Sequence, residues 1–122
     1  MPTTVYVVDP DPDERAWIAS TLAPSVDDLA FLDDGRALLA SVPDAAGSCL
    51  LTSADADEAA TLKLVRELRN SGATLPVIVL GPHSAFRTAV EIAQLEATDF
   101  LERPVSMRQL RAAIRRACTD VK

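Results

Sequence analysis

The run Cys49-Leu50-Leu51-Thr52-Ser53 is apolar almost throughout and stops at a hydroxyl beside an acidic loop. A segment this short, without polar alternation, offers no face to water and suits the middle strand of a parallel sheet covered on both sides. In an open α/β sheet the ligand crevice lies just past the carboxyl ends of the strands, near the switch in strand order. Ser53 and the loop from Ala54 to Asp57 are expected there, so the residues at that tip decide what chemistry the chain can do.

Four further runs read as strands. Thr4–Val8 is β-branched and aromatic, Leu29–Leu32 and Pro76–Leu80 are short and apolar, and Thr98–Leu101 reads as the fifth strand. Helical patterns separate them. Asp11 suits an N-cap, Pro12 the first helical position and Glu14 the third, a start like a capping box, and the helix carries Trp17, Ile18 and Leu22 to about Ala23. Asp33-Asp34-Gly35 leads into a short second helix with Leu38, Leu39 and Val42. Asp57-Glu58 begins a third, in which Leu62, Val65 and Leu68 face inward, Arg66 and Arg69 suit the negative end of the macrodipole, and Gly72 stops the helix. Ser84 caps a fourth, to about Leu95, with Ala89, Val90 and Ala93 inward. Ser106, with Gln109 three residues on, opens a fifth whose stripe is Leu110, Ala113, Ile114 and Ala117. The order βαβαβαβαβα over 122 residues predicts one domain, residues 1–122, with a parallel sheet between two helical layers.

Composition narrows the function. A net charge of −6 argues against a general nucleic-acid surface, which needs clustered Lys and Arg. No apolar run approaches a bilayer span and no signal pattern opens the chain, so a cytoplasmic protein with no membrane partner is expected. Cys49 and Cys118 have neither the number nor the spacing of a disulfide or zinc framework and read as small core residues. His83 is the single histidine, which excludes a histidine metal cluster; it reads as a solvated loop residue, with pH sensing or a partner surface as the other reading.

Val7-Val8-Asp9-Pro10-Asp11, Pro76-Val77-Ile78-Val79-Leu80 and Asp99-Phe100-Leu101-Glu102-Arg103-Pro104, set in five βα units, resemble the receiver domain of bacterial response regulators along the whole chain. The resemblance implies a flavodoxin-like (βα)5 fold with strand order 2-1-3-4-5. It also implies phosphoryl transfer from a histidine kinase to an aspartate ending the third strand. Mg²⁺ would be held by that aspartate, by one of two adjacent acids after the first strand and by a loop carbonyl. A hydroxyl after the fourth strand and a lysine after the fifth would contact the phosphoryl oxygens. Such transfer depends on positioning and on neutralising charge over oxygens.

At these positions the chain departs. Ser53 stands at the acceptor position, and a serine hydroxyl neither forms a labile acyl phosphate nor attacks well without a base. Asp9 is kept, but the neighbour expected to bind metal directly is Pro10. Gly81 replaces the hydroxyl, and Arg103 replaces the lysine with a planar fork. Glu96 also stands where the family usually has a glycine suited to a left-handed helix end. A pseudo-receiver is expected: a regulatory domain of two-component type without phosphoryl chemistry, without Mg²⁺ or another cofactor, and not an enzyme.

Its partners would be a histidine kinase, another regulator or an output domain, or a second copy through the fourth helix, fifth strand and fifth helix. Phe100 occupies the family's switch-aromatic position and packs inward permanently or stays on a contact face. Arg108, Arg111, Arg115 and Arg116 make the last helix basic outside, as a solvated or a docking face. Asp9 and Arg103 should lie close enough to pair, either as an ion pair replacing the metal or as a partly exposed bridge worth about 0–1 kcal/mol. The family resemblance implies a cis Arg103-Pro104 bond.

Two other functions stay open. A displaced acid such as Asp55 would make the chain a working phosphoacceptor, although Asp11 and Asp57 are better explained as helix N-terminal acids. A flavodoxin-like enzyme or nucleotide binder would need a Gly-rich phosphate loop after a strand, and none is present.

Overall fold

The computed structural model describes residues 4–9, 11–32, 48–54, 58–71, 75–82, 90 and 99–119. Within them run β1 (Thr4–Val8), α1 (Pro12–Leu22), β2 (Asp28–Leu32), β3 (Ser48–Ser53), α2 (Glu58–Asn70), β4 (Val77–Gly81), β5 (Asp99–Glu102) and α3 (Met107–Thr119). The five strands are parallel, in the order β2-β1-β3-β4-β5. This is the expected flavodoxin-like arrangement, with the apolar run Cys49–Ser53 in its central strand. The helices α1, α2 and α3 are the first, third and fifth of those predicted. The second helix, with Leu38, Leu39 and Val42, lies outside the described residues.

Strand periodicity sorts the core into two layers. Val5 and Val7 of β1, Cys49 and Leu51 of β3, and Ile78 and Leu80 of β4 point to one face, where Ile18 and Leu22 of α1 and Leu110, Ala113, Ile114 and Ala117 of α3 cover them. Leu50, Val77 and Val79 point to the other face and meet Leu64, Val65 and Leu68 of α2, with Tyr6, Val8, Leu32 and Phe100 packed at the margin. Because β3 supplies side chains to both layers, every residue from Ser48 to Thr52 is buried.

The helix ends explain how the chain turns. Asp11 caps α1, its carboxylate accepting from the Asp13 amide at 2.9 Å, and Pro12 opens the helix. Glu14 does not complete the expected capping box, because its carboxylate is engaged by Arg103. At α3 the box is complete: the Ser106 amide donates to Gln109 Oε1 at 2.8 Å and the Gln109 amide to Ser106 Oγ at 3.0 Å. The Arg103-Pro104 bond is cis, as expected.

Val90 corrects the expected inward face of the fourth helix, since it is 42% exposed. The other residues of that predicted helix lie outside the described residues.

Candidate functional site

Four strand ends meet at the carboxyl edge of the sheet. Val8 pairs with Thr52, Ser53 with Leu80, and Gly81 with Glu102, so the register brings Asp9, Ser53, Gly81 and Arg103 to one edge in that order. Short bonds hold the ends together. Thr52 Oγ1 donates to the Val8 carbonyl at 3.0 Å, the Ala54 amide to Leu80 at 2.8 Å, and the Arg103 amide to Gly81 at 2.9 Å. Thr61 of α2, itself buried, donates its hydroxyl to the Ser53 carbonyl at 2.9 Å and fixes where β3 ends. Of the five described residues of the predicted pocket, Asp9, Asp11, Ser53, Gly81 and Arg103, the register gathers Asp9, Ser53, Gly81 and Arg103, and Asp11 follows two residues after Asp9 as the cap of α1. Pro10, Asp55, Asp57, His83 and Glu96 lie outside the described residues.

Asp9 is only 3% exposed, and its Oδ1 accepts from the Asp11 amide at 3.0 Å. Burial raises its pKa above the ordinary 3.8; the Asp11 amide opposes that shift, Glu14 adds to it, and Arg103 opposes it more weakly. The ion pair expected between Asp9 and Arg103 takes a different form. Arg103 Nη2 donates to Glu14 Oε1, and Arg103 acts on Asp9 through space. Glu14 competes successfully because it extends from the first turn of α1 toward the same edge, while the Asp9 carboxylate is engaged by its own loop.

A raised folded pKa means that the folded chain holds the Asp9 proton more tightly than the unfolded one. The resulting stabilisation is complete below 3.8 and is lost as the pH rises through the folded value. Asp9→Asn keeps an oxygen acceptor for the Asp11 amide and removes the buried charge. It should therefore unfold at higher temperature than the parent at neutral pH, with the difference closing as the pH falls toward 3.8. Thermal denaturation of both proteins across that range checks this.

Gly81 and Phe100 form the tightest contact at the edge. A Cβ built on Gly81 would lie 2.6 Å from Phe100 Cζ and 3.2 Å from Cε2, with Ala54 Cβ at 3.6 Å. The half-buried Phe100 ring thus takes the space that a side chain at position 81 would need. The ring packs at the margin of the layer under α2.

Arg15 was not singled out from the sequence, yet it ties the edge together. Its Nε donates to the Asp9 carbonyl and its Nη2 to the Leu32 carbonyl at 2.9 Å, and its guanidinium lies 5.9 Å from the Phe31 ring centroid. A cation one turn into a helix opposes the macrodipole, and that misplacement was the readable signal.

On α3 the expected basic face is smaller than four arginines. Arg111 is half-buried, and its Nε donates to the Thr21 carbonyl at 2.9 Å, so it joins α3 to α1 instead of facing a partner. It lies on the helix flank beside Leu110, where its long stem can cross to the neighbouring helix. Arg116 pairs with Asp99 at 2.9 Å. Arg108 and Arg115 are exposed, and Met107 at the start of the helix is 44% exposed.

The magnesium ion that the resemblance implies needs several hard oxygen ligands. Among the corresponding positions Pro10 has no side-chain ligand atom and Ser53 only a neutral hydroxyl, which leaves a buried Asp9 already bonded to an amide. That donor set does not fit the ion. Among the described residues no three His, Cys, Asp or Glu side chains converge as a metal site.

A family model described as response regulator receiver domain matches residues 5–115. The chain is 35% identical over 118 residues to the transcriptional regulatory protein FixJ of Azorhizobium caulinodans, covering 91% of this chain and 53% of that protein. It is 26% identical over 113 residues to FixJ of Bradyrhizobium diazoefficiens, covering 93% of this chain and 55% of that one. The chain thus spans about half the length of the curated relatives it matches. Among solved structures, the crystal structure of FixJ-N aligns with a TM-score of 0.87 at 27% identity, covering 100% of this chain and 98% of that one.

Proposed function

This chain belongs to the response regulator receiver domain family, and we propose that it serves two-component signalling by protein-protein contact, independently of aspartyl phosphorylation. The observation that carries this reading is the Phe100 ring lying in the space of a side chain at position 81. In the family a hydroxyl-bearing side chain occupies that position and follows the phosphoryl group inward. Here the aromatic already fills the space, so no phosphoryl event is needed to set it. Ser53 at the end of β3, the absent ligand at Pro10 and the engagement of Arg103 by Glu14 support the same reading. The domain is a pseudo-receiver held in one state, working in the cytoplasm as a signalling module and not as an enzyme.

The partner is a histidine kinase, another regulator or an output domain, or a second copy. The surface offered is the outer side of β5 and α3, where Met107, Arg108 and Arg115 are exposed.

Incubation with acetyl phosphate and Mg²⁺, followed by intact-mass measurement, tests this reading. No added phosphoryl group is expected. A gain of one phosphoryl group, labile to hydroxylamine as an acyl phosphate is, would overturn it and return the acceptor role to an aspartate such as Asp55.

A further inference from the structure

Cys49 is the second residue of β3, and Cys118 is the last but one of α3. After β5 the chain enters α3 at the carboxyl edge and runs back across the sheet, so the end of the helix meets the beginning of the strand. Cys49 is fully buried in the core layer under α1 and α3, and the half-buried Cys118 packs against that same layer. The two thiols lie within hydrogen-bonding reach of each other.

We infer that Cys49 and Cys118 are a redox pair, which a peroxide converts into a reversible disulfide tying the last turn of α3 to β3. The Cys49 thiol is pushed up by its hydrogen bond to Cys118 and by burial. The Cys118 thiol is lowered, because Cys49 donates to its sulfur. The more accessible sulfur is therefore the one that ionises first, and a thiolate is the attacking species.

The Cys118 thiolate attacks one oxygen of hydrogen peroxide. The O–O bond breaks, hydroxide leaves and is protonated to water, and the sulfur is oxidised to a sulfenic acid. Cys49 then loses its proton and attacks that sulfur; the S–S bond forms, the S–O bond breaks and a second water leaves. Two thiols and one peroxide become one disulfide and two waters. A dithiol reductant reverses the change by exchange and is itself oxidised to a disulfide. The bond lies at the opposite edge of the sheet from Asp9 and Ser53, and it anchors the helix that presents Met107, Arg108 and Arg115.

The test treats the native full chain with graded hydrogen peroxide, blocks remaining thiols with an alkylating agent, and maps the peptides. Parallel samples are Cys49→Ala, Cys118→Ser and the parent chain in concentrated urea. The parent should lose two hydrogen atoms and both alkylatable thiols, join the peptides of Cys49 and Cys118 within one monomer, and recover with dithiothreitol. Cys49→Ala should stop at a sulfenic acid on Cys118 that dimedone traps, and Cys118→Ser should keep its Cys49 thiol. The bond should form faster in the folded chain than in urea. A folded parent that accumulates oxidised Cys118 while Cys49 stays a thiol would overturn the pairing. So would a bond that forms only between chains, or one that forms faster in urea.

Discussion

Gly81→Ala is expected to turn the Phe100 ring out of the sheet edge and to lower stability by about 1–3 kcal/mol. The added methyl would meet Phe100 Cζ at 2.6 Å, closer than carbon atoms approach without one of them moving. The neighbour is the far end of a side chain, so the ring gives way and the backbone of β4 stays. The cost is the apolar contact that the ring loses with the layer under α2. In a Phe100→Ala background the same methyl has room. The two substitutions should therefore be coupled, with a rescue of about 0.5–3 kcal/mol in a double-mutant cycle from urea denaturation of the four proteins. Penalties that simply add would mean that the ring does not occupy the space above Gly81. The aromatic NMR signals of Phe100 supply a second readout, moving toward solvent-exposed values in Gly81→Ala.

Leu51→Ala is expected to be more damaging, by about 2–5 kcal/mol. Leu51 is fully buried in the middle of the central strand, within the layer formed by Val7, Ile78, Ile18 and Leu110. Strands on both sides and two helices fix those neighbours, so the space left by the side chain cannot collapse fully. Thr52→Val, one residue on, removes the bond from Thr52 Oγ1 to the Val8 carbonyl and should cost about 1 kcal/mol. Comparing the two by urea denaturation separates packing from side-chain hydrogen bonding as the force joining β3 to its neighbours. A Leu51→Ala penalty no larger than that of Thr52→Val would contradict the packing picture.

Most of the fold was legible because its signals are local. Five short apolar runs could only be strands, the apolar stripe of α3 could only face a sheet, and Ser106 with Gln109 marked a helix start by reciprocal bonding. The candidate site was legible by position, since a strand tip is where the strand stops. Contacts between distant residues were not. Glu14 and Arg103 are 89 positions apart, and nothing in the first turn of α1 shows that its acid faces away from its own helix. Arg111 reads as one of several surface cations until Thr21, 90 positions away, turns out to present a carbonyl to it. The expectations for Phe100 divided for the same reason: whether a ring lies inward depends on the absence of a single Cβ on the neighbouring strand. The two cysteines, 69 positions apart by number, read separately as core residues, and only the path of α3 across the sheet brings them together.

A two-dimensional amide NMR titration, first with Mg²⁺ and then with beryllofluoride as a mimic of an aspartyl phosphate, tests most directly whether the pocket has left phosphoryl chemistry. The amide signals of Asp9, Ser53 and Gly81 should stay in place at millimolar concentrations of both. Signals that shift at those residues, with changes reaching Phe100, would contradict this and make the domain a phosphorylated switch.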